Sequence, residues 1–193
     1  MIAALIPARI GSVRIPRKNI RDFHGKPIIA YSIETAFETK LFDDVYVTTD
    51  DLEIAKIAGE YGAKVLMRGP EWSKDTVGPV DLARHHLKHM GHPDHVCILY
   101  ATAPMMTALS IKEGWIVMNS ERQPAFCVSI GVEPLHDAAQ FIWCERSALR
   151  EGIDEFGAWT TFMRIKPETD CDINTPEDWQ RAEEMYARLY EPA

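Results

Sequence analysis

Apolar and polar positions follow two rhythms along the chain. Ile2 to Ala8 is a continuous apolar run about one strand long, as expected of a buried strand. Asp44 to Thr49, Lys64 to Met67, His95 to Tyr100 and Ala125 to Val132 are further short strands, several rich in β-branched residues. Between them, apolar residues recur at helical spacing. Pro27 opens a helical pattern to about Lys40, with Ile28, Ile29, Ile33, Ala36 and Phe37 on one face. Proline suits the first helical position because its missing N–H would have no partner there. Asp50 and Asp51 precede a helix over Leu52 to Tyr61 that Gly62 stops. Pro79 to Met90 and Leu109 to Ser120 read as two more helices.

This β-α-β-α order predicts an α/β fold: a mostly parallel sheet, mixed at its end, flanked by helices with right-handed crossovers. Beyond Val132 the rhythm loosens. Asp137 to Cys144 and Thr160 to Lys166 look like strands around a short helix near Ser147. A last helix is predicted from Pro176 to about Tyr190, capped by Thr175 with Asp178 three positions on. A length of 193 residues with no internal repeat or linker predicts one domain over 1–193. In such a sheet, ligands bind outside the carboxyl ends of the strands, where strand order reverses. The loop after the first strand, Thr48 to Asp51, the turn after Tyr100 and Asp172 to Thr175 should therefore share one rim.

Composition narrows the partners. The chain is 46% hydrophobic and 26% charged, as in soluble globular proteins, and its net charge of −8 lacks the basic footprint of a nucleic-acid binder. Cys97, Cys127, Cys144 and Cys171 form no C-x-x-C pair, which predicts reduced thiols and a cytoplasmic location. Met1 to Ala8 has no basic region before it and is not expected to act as a signal peptide; no apolar stretch approaches the roughly 20 residues of a membrane span. His85, His86, His89, His92 and His95 complete no metal-binding pattern and are expected on a solvated helix face. The five tryptophans are expected in packing.

Against this acidic background, the segment Arg9 to Lys26 stands out. It is too long for a plain connection, and Arg9, Arg14, Arg17 and Lys18 fall within it. Backbone N–H groups near Gly11 and Ser12 are expected to form an anion-binding nest, with Arg and Lys neutralising a polyphosphate. The spacing matches neither a Walker A loop nor a dinucleotide fingerprint. Asp50 and Asp51 read as a helix start or as rim carboxylates.

The run IPARIGSVRIPRKNI resembles the signature of the acylneuraminate cytidylyltransferases, or CMP-sugar-acid synthetases, and within them the pseudaminic acid branch. GKPIIAYSIETA, LFDDVYVTTDDLEIAKIAGEYGAKV, ILYATAP, HDAAQFIW and DINTPEDWQRAEEMY continue the resemblance in order over most of the chain. It implies a Rossmann-like nucleotidyltransferase fold and transfer of CMP from CTP to the anomeric hydroxyl of a 2-keto sugar acid. Pyrophosphate leaves, Mg²⁺ assists, and the implied assembly is a homodimer. Arg9 and Lys18 match the loop cations on the triphosphate, and Asp172 the first carboxylate of an Asp-x-Asp metal motif. These three are the implied catalytic residues. The implied nucleotide set adds Ala8, Gly11, Ser12, Arg14, Asn19, Arg68, Asp75 and Thr76. Thr102, His136, Asp137 and Gln140, the last three within a segment that reads HDAGQF in the family, are implied on the sugar. Asp172 with Asn174 would hold the metal.

Three departures accompany the resemblance. Ile10 and Val13 stand where the family has Gly and Lys. Asn174 replaces the second metal carboxylate. A stretch of roughly 30 residues is missing between Val132 and His136, a sizeable loss for a domain of this class. In relatives that stretch serves the dimer interface and the sugar site. Two alternatives follow: a different acceptor such as a sugar phosphate, or a nucleotide-binding relative with weakened catalysis.

Overall fold

A computed structural model of the chain describes residues 1–120, 123–132 and 134–191. In chain order the strands are β1 (Ile2–Pro7), β2 (Asp22–Phe23), β3 (Lys26–Pro27), β4 (Asp44–Thr49), β5 (Lys64–Met67), β6 (His95–Leu99), β7 (Phe126–Val132), β8 (Leu135–Glu145) and β9 (Thr160–Arg164). The α-helices are α1 (Ile28–Thr39), α2 (Leu52–Glu60), α3 (Pro79–His86), α4 (Ala108–Met118), α5 (Arg146–Glu151) and α6 (Pro176–Tyr190).

Seven strands form one sheet in the order β5-β4-β1-β6-β8-β7-β9. Only β8 runs against the others: it pairs antiparallel with β6 and β7, and the remaining neighbours are parallel. The expected mixed, mostly parallel sheet is therefore present. Strand order reverses at β1 and β6, so the rim beyond Pro7 and Leu99 is the switch point. Because β8 is reversed, its first residues and the end of β7 reach that same rim.

Three apolar clusters hold the layers. One lies between the sheet and α1, α2 and α4, and includes Ile6, Ile33, Val47, Ile111 and Trp143. Trp143 is fully buried, and its indole N–H donates to the Ile111 carbonyl at 3.1 Å. α4 comes close enough that a Cβ on Gly114 would stand 2.8 Å from Phe141 and Trp143, which requires glycine there. The second cluster covers the other face beneath α3 and α5, with Leu5, Val80, Ile98 and Ile142. The third is separate: Phe23 packs edge-on against Tyr31, Trp179 and Tyr186, with Ile15, Cys171 and Ile173 buried alongside. It pins α6 to the segment after β1.

The patterns place most elements within a residue or two. The β2–β3 hairpin was not anticipated; His24 and Gly25 turn it with φ of 47° and 87°. In consequence Pro27 belongs to a strand and stands at the N-cap of α1 rather than at its first position. α3 ends at His86, short of the expected Met90, and continues as turns into Gly91 and His92, both at positive φ. Thr175 and Asp178 form the expected capping box on α6. Ala139 adopts φ 49° where β8 slips register against β7. Among the described residues no helix is long and apolar enough to cross a membrane.

Candidate active site

The chain after β1 is fixed at three points. Ile10 packs against the first core cluster, Ile15 is buried in the third, and buried Asn19 donates through Nδ2 to the Arg9 carbonyl at 2.8 Å. Between these anchors Arg9, Arg14 and Lys18 point into one cavity of about 470 Å³ at the switch point. Arg68, Trp72, Asp75, Tyr100, Thr102 and Asn174 also line it.

Two amides in the segment where the anion nest is expected have partners within the protein. The Ile10 amide donates to Asp50 Oδ1 at 3.1 Å, and the Ser12 amide to the Ile10 carbonyl at 2.8 Å. Ile10 packs against the first core cluster, and these two amide contacts help hold the loop there. Arg9, Arg14, Lys18 and Arg68 bring side-chain positive charge to this cavity. Asp50 acts as this loop brace, and Asp51 caps α2 by accepting from the amides of Glu53 and Ile54.

Charge and burial differ among the cations. Arg9 pairs with Asp75 and donates to the Ser73 carbonyl at 3.3 Å. Lys18 is tucked in, and Nζ donates to the Ile173 carbonyl at 2.6 Å; burial lowers its pKa, opposed by Asp172. Arg68 is buried at 8% exposure, and its Nε and one terminal nitrogen have no hydrogen-bond partner. Burial also lowers its pKa. Arg68 lines the cavity, and its unpartnered buried nitrogens are donors that lack an acceptor.

Residues 171–174 alternate inward and outward like a strand. Cys171 and Ile173 are buried in the third cluster, so Asp172 and Asn174 turn to the rim. Asn174 Nδ2 donates to Asp172 Oδ2, and Arg14 donates to Asn174 Oδ1 at 3.2 Å. Among the described residues no group of three or more His, Cys, Asp or Glu gathers around a metal position. One carboxylate and one amide oxygen are hard donors that suit a cation keeping most of its shell from water and phosphate. As placed, Asn174 turns Nδ2 to Asp172 and Oδ1 to Arg14, so Asp172 offers the carboxylate for such an ion and the amide oxygen would join it only after the Asn174 side chain turns.

The implied sugar set is split by the structure. Thr102 lies in the first cavity. His136 lines a second cavity with Asp170 and Asp172, and its Nε2 lies 3.0 Å from Asp170 Oδ1. Asp137 accepts from the Tyr100 hydroxyl at 3.3 Å, and burial raises its pKa. Gln140 is buried, donates to the Thr169 carbonyl at 2.7 Å and leaves Oε1 without a partner. Ala8 is buried with its amide on the Thr48 carbonyl, while Gly11 and Thr76 are exposed outside the first cavity.

Sequence reasoning passed over Tyr100, which links the two sets, although it lies in the quoted run ILYATAP. Two of the five histidines depart from the expected solvated face: His86 is buried against Thr48 Oγ1 at 2.7 Å, and His85 stacks on Trp72 at 4.0 Å, while His89 and His92 are exposed. Burial lowers the His86 pKa to about 4. α3 turns these two rings toward the sheet and cavity wall.

A protein-family model described as Cytidylyltransferase matches residues 3–141, well over half of the chain. The chain belongs to the cytidylyltransferase family. This cytidylyltransferase is 31% identical over 226 aligned residues to the pseudaminic acid cytidylyltransferase of Campylobacter jejuni subsp. jejuni serotype O:23/36, covering 98% of this chain and 97% of that protein. It is 31% identical to N-acylneuraminate cytidylyltransferase A of Danio rerio, over 97% of this chain and 51% of that protein. Among solved structures, the synthetase of CMP:2-keto-3-deoxy-manno-octonic acid complexed with CTP superposes with a TM-score of 0.78 at 16% identity, covering 97% and 99% of the two chains. That likeness is one of fold. An alignment of 226 positions against 193 residues also means that the Campylobacter protein has more than 30 positions this cytidylyltransferase lacks. Of the short β7–β8 connection, Glu133 lies outside the described residues.

Proposed function

We propose that the chain, acting as one domain over 1–193, transfers CMP from CTP to the anomeric hydroxyl of a 2-keto sugar acid. One observation supports this most: two cavities meet at the Asp172–Asn174 pair, a cationic one on the Asn174 side and a second on the Asp172 side. A nucleoside triphosphate suits the first. Arg14 and Lys18 would hold the phosphates, Arg9 would exchange Asp75 for them, and Arg68 with Asn19 would take the cytidine. Ala8, Gly11, Ser12, Asp75 and Thr76 complete the proposed nucleotide environment as backbone and rim.

In the reaction, the anomeric oxygen attacks the α-phosphorus and the bond to the β-phosphate oxygen breaks, releasing pyrophosphate. Asp172 and Asn174 would hold a divalent ion, Mg²⁺ in our reading, which offsets negative charge on the phosphates when bound. Lys18 and Arg14 add fixed positive charge beside the leaving group. Asp137 takes the proton of the attacking hydroxyl; its raised pKa suits that role. His136, Gln140 and Thr102 position the acceptor.

Four unpaired thiols support a reducing, cytoplasmic setting. Exposed Trp159 and Phe162 beside the edge of the sheet support a homodimer. The short β7–β8 turn favours one second reading, in which the acceptor is another sugar or a sugar phosphate.

The test is pyrophosphate release by purified protein with each nucleoside triphosphate, Mg²⁺ or Mn²⁺, and panels of 2-keto sugar acids and sugar phosphates. Release with CTP and a sugar acid alone is the expected result. Release with sugar phosphates transfers the conclusion to the second reading. Calorimetric CTP binding with no release from any acceptor leaves a binding protein.

A further inference from the structure

The second cavity has a volume of about 490 Å³, within the roughly 300–1,000 Å³ of small-molecule sites. Three pieces of chain wall it: the β7–β8 turn, the segment from Pro167 to Asp172, and α6 through Arg181 and Met185. The last two stand one helical turn apart and so share a face. Gly131 shapes the wall at β7, because a Cβ there would run into the Asp170 carboxylate and the His136 ring. The His136–Asp170 pair therefore sits in a hollow that depends on glycine.

The charged groups around this cavity are unequally engaged. His136 is held by Asp170 at 3.0 Å. Asp172 is shared with the first cavity through Asn174. Arg181 makes one long contact, to the Asp170 carbonyl at 3.4 Å, and lies beside the Cys171 thiol. Of the acidic residues one turn away on α6, Asp178 is occupied by the amides of Asn174 and Thr175, Glu184 pairs with Arg188 at 3.8 Å, and Glu177 is exposed. Among the described residues Arg181 is the one permanent cation on the cavity wall, and it makes no ion pair. An anionic substrate entering here thus meets a planar guanidinium with unused donors, which matches a carboxylate two bonds at a time.

We propose that Arg181 anchors the carboxylate of the acceptor, so that the acceptor lies in the second cavity and approaches Asp172 from the side opposite the nucleotide. The proposal rests on the sugar-acid reading above and assigns substrate recognition to α6. The anchor is a binding residue and takes no part in bond making.

The experiment compares wild type with R181A and R181K in the full chain. Pyrophosphate release is followed with CTP and a 2-keto sugar acid, and with the amide of that same acid. For R181A the acceptor KM should rise roughly ten- to a hundredfold, as expected for loss of a hydrogen-bonded charge pair. The KM for CTP and calorimetric CTP binding should stay within about twofold, and R181K should recover part of the loss. The preference of wild type for acid over amide should collapse in R181A. An unchanged acceptor KM, or an unchanged acid-over-amide preference, overturns the anchor while leaving the sugar-acid reading intact. Absence of release by wild type with every 2-keto sugar acid overturns the reading instead. The anchor is then decided by saturation-transfer NMR with the sugar acid alone. Signal in wild type that R181A loses upholds it, and equal behaviour of the two proteins overturns it.

Discussion

The two cavities that meet at Asp172 and Asn174 are built by different means. The first opens at the ends of parallel strands, and its side chains are placed by anchors on both sides: Ile10 and Ile15 in separate cores, Asn19 on the Arg9 carbonyl, Lys18 on the Ile173 carbonyl. The second is walled by a turn, an extended segment and the flank of a helix. A charged triphosphate imposes the same demands whatever receives the nucleotide, and the braced cavity suits that constancy. The other partner differs from enzyme to enzyme, and the less braced wall suits a surface that changes with it.

The largest expected effect is at Asp172, which lines the second cavity and reaches the first through Asn174. Asp172→Asn removes the one carboxylate of the partial metal site and should lower kcat by about a thousandfold, equivalent to about 4 kcal/mol of transition-state stabilisation. Metal-free CTP binding, read by calorimetry, should persist. If acceptor affinity and kcat both survived, Asp172 would belong to neither cavity and the two would no longer be two halves of one site.

A smaller effect is expected at Arg68, where binding and stability should move in opposite directions. Arg68→Met should weaken CTP binding by roughly tenfold or more, because a charge-assisted contact is lost. The same change removes a buried guanidinium with unpaired nitrogens, and Tm should rise by about 2–4 °C, which for a chain this size is about 1 kcal/mol. Acceptor KM should not move. A fall in Tm would show that Arg68 is part of the scaffold beneath the first cavity.

The smallest effect concerns acid stability beneath the first cavity. His86 has a folded pKa near 4 against an ordinary 6.5. Above pH 6.5 it is neutral in both states and contributes no slope. As pH falls from 6.5 toward 4 the unfolded chain takes up the proton and the folded one does not, so stability drops by up to about 1.4 kcal/mol per pH unit. His86→Gln should flatten the denaturation midpoint over that window relative to wild type. Parallel profiles would mean that His86 is not held neutral by its burial.

What the sequence made legible follows the same division. Hydrophobic rhythm located the strands of the parallel half because buried strands read as apolar runs, and the basic cluster after β1 pointed to the first cavity. The use made of that cluster was not legible. Whether an amide faces a ligand or an aspartate depends on Asp50, 40 positions on, and spacing gives no sign of it. His86 reads as one of five polar histidines until α3 is docked on the sheet. Arg181 lies on a helix whose polar face looks solvated in sequence, and only the meeting of α6 with the β7–β8 turn puts it beside a cavity. The β2–β3 hairpin escaped because two-residue strands carry no periodicity.

The position of the β7–β8 connection has an evolutionary consequence. It lies at the functional rim because β8 alone runs in reverse, and its two ends are already paired, Val132 with Leu135 and Gly131 with His136. A loop whose ends are held together can lengthen at little entropic expense, since each doubling costs only about 0.6 kcal/mol. Such a tip works as a graft point. Chain can be gained or lost there without disturbing the register of the parallel strands, so one lineage can exchange acceptors while inheriting its nucleotide chemistry whole.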